Sequence, residues 1–449
     1  MLHPSLSAFM GLASIGMVCT EVRPSMMGCV RPQAVIARAA VLPPVYALHE
    51  EPLTPIAREC CQRKQVRVMI KRCLLAANGL IVAALTMPAA LGQATPAAPP
   101  AARVDYVHLA DLIVNRSWKV APGERVVMFW NAQRDPGIAT PLREAIRKAG
   151  GQVEEIAAPV SPADAALTPA ARAARFEQWK AIFQRSQAAI WLPSDITAVS
   201  DQPFEHLVEA SAVRSIHFHW FLPPEAADAP RVEAMYQRAI EVSPAELGKR
   251  LAALEQALRG HTVHVKAQNG TDFVFRVPED AHFHRNTGEA TKQKVRDARS
   301  VRDREEELPA SVLRTTDLAD AQGTFTGYLS WDTRSTLARA TLRDGRVTAI
   351  EALHGPDTEI TAWKSAKGDK DKPGEFVIGT NSALTAVLPS GYMPYYGYGA
   401  GVVRLAIGDN WESGGRNRSS NGELLLFLPG ATLSVDGRDL IRNGQLLNQ

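Results

Sequence analysis

The sequence lacks late cysteines, the common catalytic motifs and long apolar runs. All five cysteines, at 19, 29, 60, 61 and 73, precede residue 74 of 449. A chain processed beyond residue 92 would carry no thiol, which excludes disulfides, a cysteine nucleophile and zinc fingers from it. No GxGxxG follows a strand pattern and no GxxxxGK[ST] occurs, so dinucleotide and phosphate-loop sites are not indicated. GxSxG and HExxH are also missing; composition alone leaves a Ser-His-Asp triad open. Histidine stops at His354, so chemistry beyond it must come from carboxylates, amides, tyrosine or arginine. The longest apolar run, Cys73–Met87, is shorter than the ~20 residues of a comfortable membrane span. A strong excess of one charge is missing too. The formal charge is +3, residues 1–92 hold +5 of it, and the remainder is at −2, with no nucleic-acid footprint.

What is present is globular in composition, 46% hydrophobic and 22% charged, over a length that suits two or three domains. Met69 opens a segment patterned like a secretory signal: Ile70-Lys71-Arg72, the apolar run, then Ala90-Leu91-Gly92 as a small-x-small cleavage site. The alternatives are an uncleaved anchor or a buried helix. Residues 93–102 (QATPAAPPAA) read as a flexible linker. Residues 1–68 show no sustained periodicity and read as a mis-assigned, disordered extension upstream of the true initiator. The expectation is export, to a periplasm or the exterior, with no stable membrane span after cleavage.

The next part alternates strand and helix patterns. Strands are expected at 125–130, 153–157, 188–192 and 215–221, and helices at 105–114, 141–149, 172–187 and 204–212. Residues 231–259 carry long helical patterning, with Ser243-Pro-Ala-Glu as a capping-box start. This alternation predicts an α/β domain with a parallel sheet over 103–258. From His261 the period changes to two. Strands at 261–266, 272–277, 337–342 and 346–352 predict a mostly-β domain over 259–449, with a hairpin at Leu342-Arg-Asp-Gly-Arg. The charged run 292–307 (KQKVRDARSVRDREEE) reads as a solvated helix or mobile loop.

Three apolar runs, Phe376–Ile378, Val402–Ile407 and Leu424–Leu428, sit between turns rich in glycine and asparagine. Their ends present Glu375, Asn381, Asp409, Asn410, Glu412, Asn417, Asn421 and Glu423, where a rigid sheet can hold functional groups still. Two histidine pairs add metal-ligand candidates: His217-x-His219 on a strand, and His282-x-His284 with Glu289 nearby. Each HxH supplies at most two of the three or four ligands that zinc needs. Tyr392, Tyr395, Tyr396 and Tyr398 crowd one loop, which could line a cleft or pack as an aromatic turn.

The segments 270–277 (GTDFVFRV), 307–316 (ELPASVLRTT), 374–381 (GEFVIGTN), 402–408 (VVRLAIG), 414–419 (GGRNRS) and 429–437 (PGATLSVDG) resemble, in order and spacing, the thermophilic aminopeptidase (aminopeptidase T) family of metallopeptidases. The α/β half, with SIHFHWF, is similar more loosely. The resemblance implies an α/β domain followed by a β-rich domain, commonly a homodimer, and a two-metal site that removes N-terminal residues from peptides. This chain departs from that pattern. Glu375 matches a family glutamate. Val312 stands in place of another, Arg404 in place of a histidine, Trp411 in place of a tyrosine, and Asn421-Gly422-Glu423 in place of a His-x-Asp pair.

Two functions are therefore expected. One is an exported, leucyl aminopeptidase-like hydrolase with a divalent metal (Zn, Co or Mn) on Glu375 and Glu423, with His282 and His284 as surrogate ligands. The other is a pseudoenzyme without a metal. It would bind a peptide or small anion in the old cleft, with Arg404 in the metal's place and Trp411 and Asn421 as further cleft residues. No individual catalytic residue is assigned.

Overall fold

The computed structural model describes residues 103–158, 167–192, 201–223, 228–329, 334–420 and 422–447. The expected extension (1–68), signal segment (69–92), linker (93–102) and Asn421 lie outside these residues.

The first apolar runs form a parallel sheet because each is followed by an amphipathic helix that returns the chain to the same edge. Strands β1 (Arg125–Trp130), β2 (Gln152–Ala157), β3 (Ala188–Leu192) and β4 (Arg214–Phe218) pair in parallel, ordered β2-β1-β3-β4. Helices α1 (Tyr106–Asp111, running on through a π-helical turn at Leu112–Trp118), α2 (Ala139–Lys148) and α5 (Ala229–Glu241) share a core with one face, through Val126, Met128, Ile190 and Phe218. On the other face Phe183 of α3 (Pro169–Gln184) and Phe204 of α4 (Asp201–Glu209) meet Val127, Phe129 and Trp191. Helix cover on both faces explains why β3 and β4 are buried along their whole length.

The long helical pattern at 231–259 divides into α5 and α6 (Pro244–Leu258). Ser243 is the N-cap of α6, yet its side chain makes no capping bond. Pro244 in the first turn supplies the start signal instead.

The C-terminal part is a curled antiparallel sheet in which β5 (Thr262–Lys266), β6 (Asp272–Arg276) and β10 (Ala319–Tyr328) lead through β15 (Glu423–Leu428) to β14 (Val403–Gly408), β13 (Pro373–Gly379), β9 (Val312–Thr315) and β7 (Phe283–Arg285). The hairpin β11 (Leu337–Arg343)–β12 (Arg346–His354) branches from β10. Its turn sets Asp344 and Gly345 at φ of 50° and 71°, as a primed two-residue turn requires. The two-part reading, α/β then mostly β, thus describes the architecture.

One element crosses the expected boundary at 258/259. Part of the charged run does form a helix without buried residues, α7 (Lys292–Asp297). Beyond it, Glu305–Leu308 is a fully buried strand, β8, paired in parallel with β4 as the fifth strand of the α/β sheet. The expectation of a solvated helix or loop over 292–307 fails there. Every β8 glutamate finds a cation or an imidazole in the interior, as described below.

The tyrosine loop is a packed aromatic joint and not a cleft wall. Tyr392, Tyr395 and Tyr398 are buried, the Tyr236 hydroxyl accepts from the Tyr395 N–H at 2.7 Å, and the Tyr392 hydroxyl donates to the Phe221 carbonyl at 2.8 Å.

Candidate functional site

Sheet register builds the site. Arg314 on β9 and Arg404 on β14 both stand opposite Val377 of β13, so the two guanidiniums flank the same face of that strand. Glu375, two residues earlier, lies diagonally to both. Its Oε2 is ion-paired with Arg404, its Oε1 accepts from the Ser413 hydroxyl, and Arg314 Nη1 lies 3.8 Å from Oε1. Arg404 also donates to the Tyr398 hydroxyl at 2.6 Å and lies over that ring, 5.1 Å from its centre. Burial pushes the Glu375 carboxyl up, but Arg314 and Arg404 outweigh it and hold the group below the usual carboxylate range.

Of these side chains, Glu375, Arg404 and Ser413 close the floor of a cleft of about 270 Å³. Its walls carry Arg302, Asp409, Glu412 and Glu423, and at its lip Trp411 stacks on His206 at 4.6 Å with the rings 11° apart. Several expected turn residues are structural here. Asn410 donates to the Gly374 carbonyl and Asn417 to the Pro373 carbonyl, fastening the 409–417 turn onto β13. Asn381 is buried and donates to the carbonyls of Ala239 and Ala310. Val312 is buried in the apolar core.

The two histidine pairs meet different fates. His217 faces the α3–α4 side of the parallel sheet, against Trp191 and Phe204, and His219 follows just past the end of β4. Strand β8 pairs Glu305 with Ser215 and Glu307 with His217, which brings both carboxylates beside the two imidazoles. His217 Nε2 lies 3.0 Å from Glu305 Oε2 and 3.2 Å from Glu205 Oε1 of α4. The ligand atoms of Glu205, His217 and Glu305 all lie within 4.8 Å of one another, and this buried group could bind a metal. His219 instead approaches Glu307 at 3.6 Å and stacks on Tyr396.

His282 and His284 converge on Asp303, at 2.8 and 3.8 Å, and neither lines the cleft. Glu289 pairs with Lys119 at 2.9 Å. Burial drives His284 down to about 4. Asp303 resists burial and stays well below its ordinary range because both imidazoles bond to it. It also caps the backbone N–H groups of Arg299 and Ser300.

Sequence reasoning missed Arg302. Its Nη2 donates to Glu412 at 2.5 Å, while Nη1 pairs with Glu305 and lies 3.5 Å from Glu205 and 3.6 Å from Glu307. It connects the buried carboxylates to the cleft wall. Arg314 pairs in turn with Glu307. The one available signal was spacing: ExE at 305/307 repeats the alternation of HxH at 217/219, as facing strands would.

A divalent metal on Glu375 and Glu423, as the resemblance implies, does not fit this floor. Both Glu375 oxygens are already engaged, Oε2 by the Arg404 guanidinium and Oε1 by the Ser413 hydroxyl, so neither is free to ligate an ion.

Among the described residues no helix is long and apolar enough to cross a membrane. Comparison with protein-family models finds no match, and no curated protein matches the chain. Among solved structures, the chain is similar to the 2,5-dihydroxypyridine dioxygenase of Pseudomonas putida KT2440. The TM-score is 0.53 at 15% identity, over 77% of this chain and 97% of that one, a likeness of fold.

Proposed function

We propose that this chain is an exported, non-catalytic binding protein on an aminopeptidase T-like fold, holding the amino end of a peptide or a similar small amine in the cleft. The carrying observation is the Glu375–Arg404 ion pair, closed by Tyr398 and Ser413 where the resemblance places a metal. With that position filled, no Lewis acid acts on a carbonyl there, and the floor offers recognition in place of hydrolysis. Four carboxyl groups, Glu375, Asp409, Glu412 and Glu423, face the guanidiniums of Arg302 and Arg404. Burial pushes Glu412 up and Glu423 to about 7, and a cationic ligand would draw both toward the charged form, which favours it over the anion considered above. The Trp411–His206 stack at the lip offers a flat apolar surface for a side chain. The rival reading is the metal-dependent aminopeptidase.

Two measurements decide between them. Titration of the full chain with short peptides, followed by calorimetry and Trp411 fluorescence, should show binding that N-acetylation weakens roughly tenfold or more, as loss of a charged hydrogen-bonding group does. Amino-acid anilides with added Co²⁺, Zn²⁺ or Mn²⁺ should not be hydrolysed. Metal-dependent turnover that Glu375→Gln abolishes would establish the peptidase reading and overturn this one.

A further inference from the structure

We propose that Glu205, His217 and Glu305 form a buried site for a divalent transition-metal ion, separate from the cleft floor and independent of the binding reading above. The argument begins with His217, which is 3% exposed and whose Nε2 makes no hydrogen bond, although two carboxylate oxygens lie 3.0 and 3.2 Å away. An Nε2–H can serve one carboxylate with good geometry, not two. Glu305 Oε2, in a residue 1% exposed, likewise makes no hydrogen bond. Buried polar atoms left in this state are costly unless something else satisfies them. An ion does so. Tetrahedral ligands about 2.1 Å from a zinc-like ion stand about 3.4 Å apart, close to the observed separations.

The surroundings suit a metal. The Trp191 and Phe204 rings meet the His217 imidazole edge-on, at 5.1 and 5.0 Å between centres, and fix its plane. They also exclude water, which strengthens coordination by oxygen and nitrogen donors. Charge points the same way. Glu205, Glu305, Glu307, Glu375 and Glu412 form one connected network whose guanidiniums are Arg302, Arg314 and Arg404. Five carboxyl groups meet three guanidiniums in these ion pairs, an excess of acid that favours a cation. One imidazole with two carboxylates selects Zn²⁺, Co²⁺ or Mn²⁺ over soft ions.

Arg302 stands between this site and the cleft, touching Glu305 on one side and Glu412 on the other. An ion on Glu205 and Glu305 weakens the hold of those carboxylates on Arg302 and leaves it to Glu412.

The test uses the full chain, stripped by chelator and dialysed, then titrated with Co²⁺ by visible absorption and with Zn²⁺ by calorimetry. One ion per chain is expected, with the visible bands of low-coordinate Co²⁺ carrying a nitrogen ligand. His217→Ala should weaken binding roughly 100-fold and Glu205→Gln, which keeps shape, roughly tenfold or more. His282→Ala should leave it unchanged. If His217→Ala does not fold, Glu205→Gln with the Co²⁺ spectrum decides. No stoichiometric ion, or binding kept in Glu205→Gln and lost in Glu423→Gln or His282→Ala, overturns the assignment.

Discussion

The pairs His217-x-His219 and His282-x-His284 share a spacing and differ in everything around it. The first begins on an interior strand of a parallel sheet, with His217 on β4 and His219 just past its end, so its partners must come from neighbouring elements: Glu205 from α4, Glu305 and Glu307 from β8. The second straddles the start of the short strand β7 at the end of the antiparallel sheet, with His282 just before it and His284 on it, and a single carboxylate, Asp303 of the 3-10 turn Arg302–Arg304, serves both rings. A pair of imidazoles thus takes its role from the number of carboxylates the fold delivers to it. Three carboxylates with a shared arginine make a charged ladder reaching the cleft, whereas one carboxylate makes a capped turn.

The sharpest way to break this comparison is Arg302→Ala. It strips the counter-charge from Glu205, Glu305, Glu307 and Glu412, and should cost about 3–5 kcal/mol in urea unfolding. A cost under about 1 kcal/mol would show that the ladder balances its charge without the arginine. At the other pair, Asp303→Ala removes two backbone caps and two imidazole contacts. About 1–3 kcal/mol is expected, measured in the same way.

Acid sensitivity sharpens the contrast further. His284 binds its proton only near pH 4 in the fold and near 6.5 when unfolded. The unfolded chain therefore holds more protons in that window, and stability falls as pH drops from 6.5 toward 4. Glu306 is displaced oppositely. Burial lifts it to about 7 from 4.5, so the fold holds the extra proton and stability falls as pH rises across that range. The two effects oppose each other between 4.5 and 6.5. Glu306→Gln should leave the His284 effect alone, a loss of about 1 kcal/mol per pH unit on acidification in that window. An unchanged slope in urea titrations at pH 7, 6 and 5 would refute the His284 assignment. The smallest effect belongs to His282→Ala, whose half-exposed pair with Asp303 should contribute under about 1 kcal/mol by the same assay.

Much of the fold was legible because local signals agreed with tertiary demand. Strands at 125–130 and 188–192 coincide with their apolar runs, since strands buried on both faces need no alternation. β8 was not legible. Three successive glutamates read as solvent-facing, and only His217, His219, Arg302, Arg314 and Lys294, from four other places in the chain, make their burial tolerable. At the site, Glu375 and Arg404 stood out through a resemblance that marked their positions. Arg302, Glu205 and Glu412 carried no such mark, because a charge on a loop or helix has no periodicity that reveals its partner.

The late arrival of β8 has a consequence for biosynthesis. A ribosome releases β1 to β4 well before Glu305–Leu308 emerges, so the nascent sheet waits with the β4 edge open and His217 and His219 uncovered. Open edges of that kind recruit other strands. A truncated product ending near residue 258 would carry that exposed edge permanently. It should precipitate, or be held by a chaperone, while the chain that reaches Leu308 stays in solution.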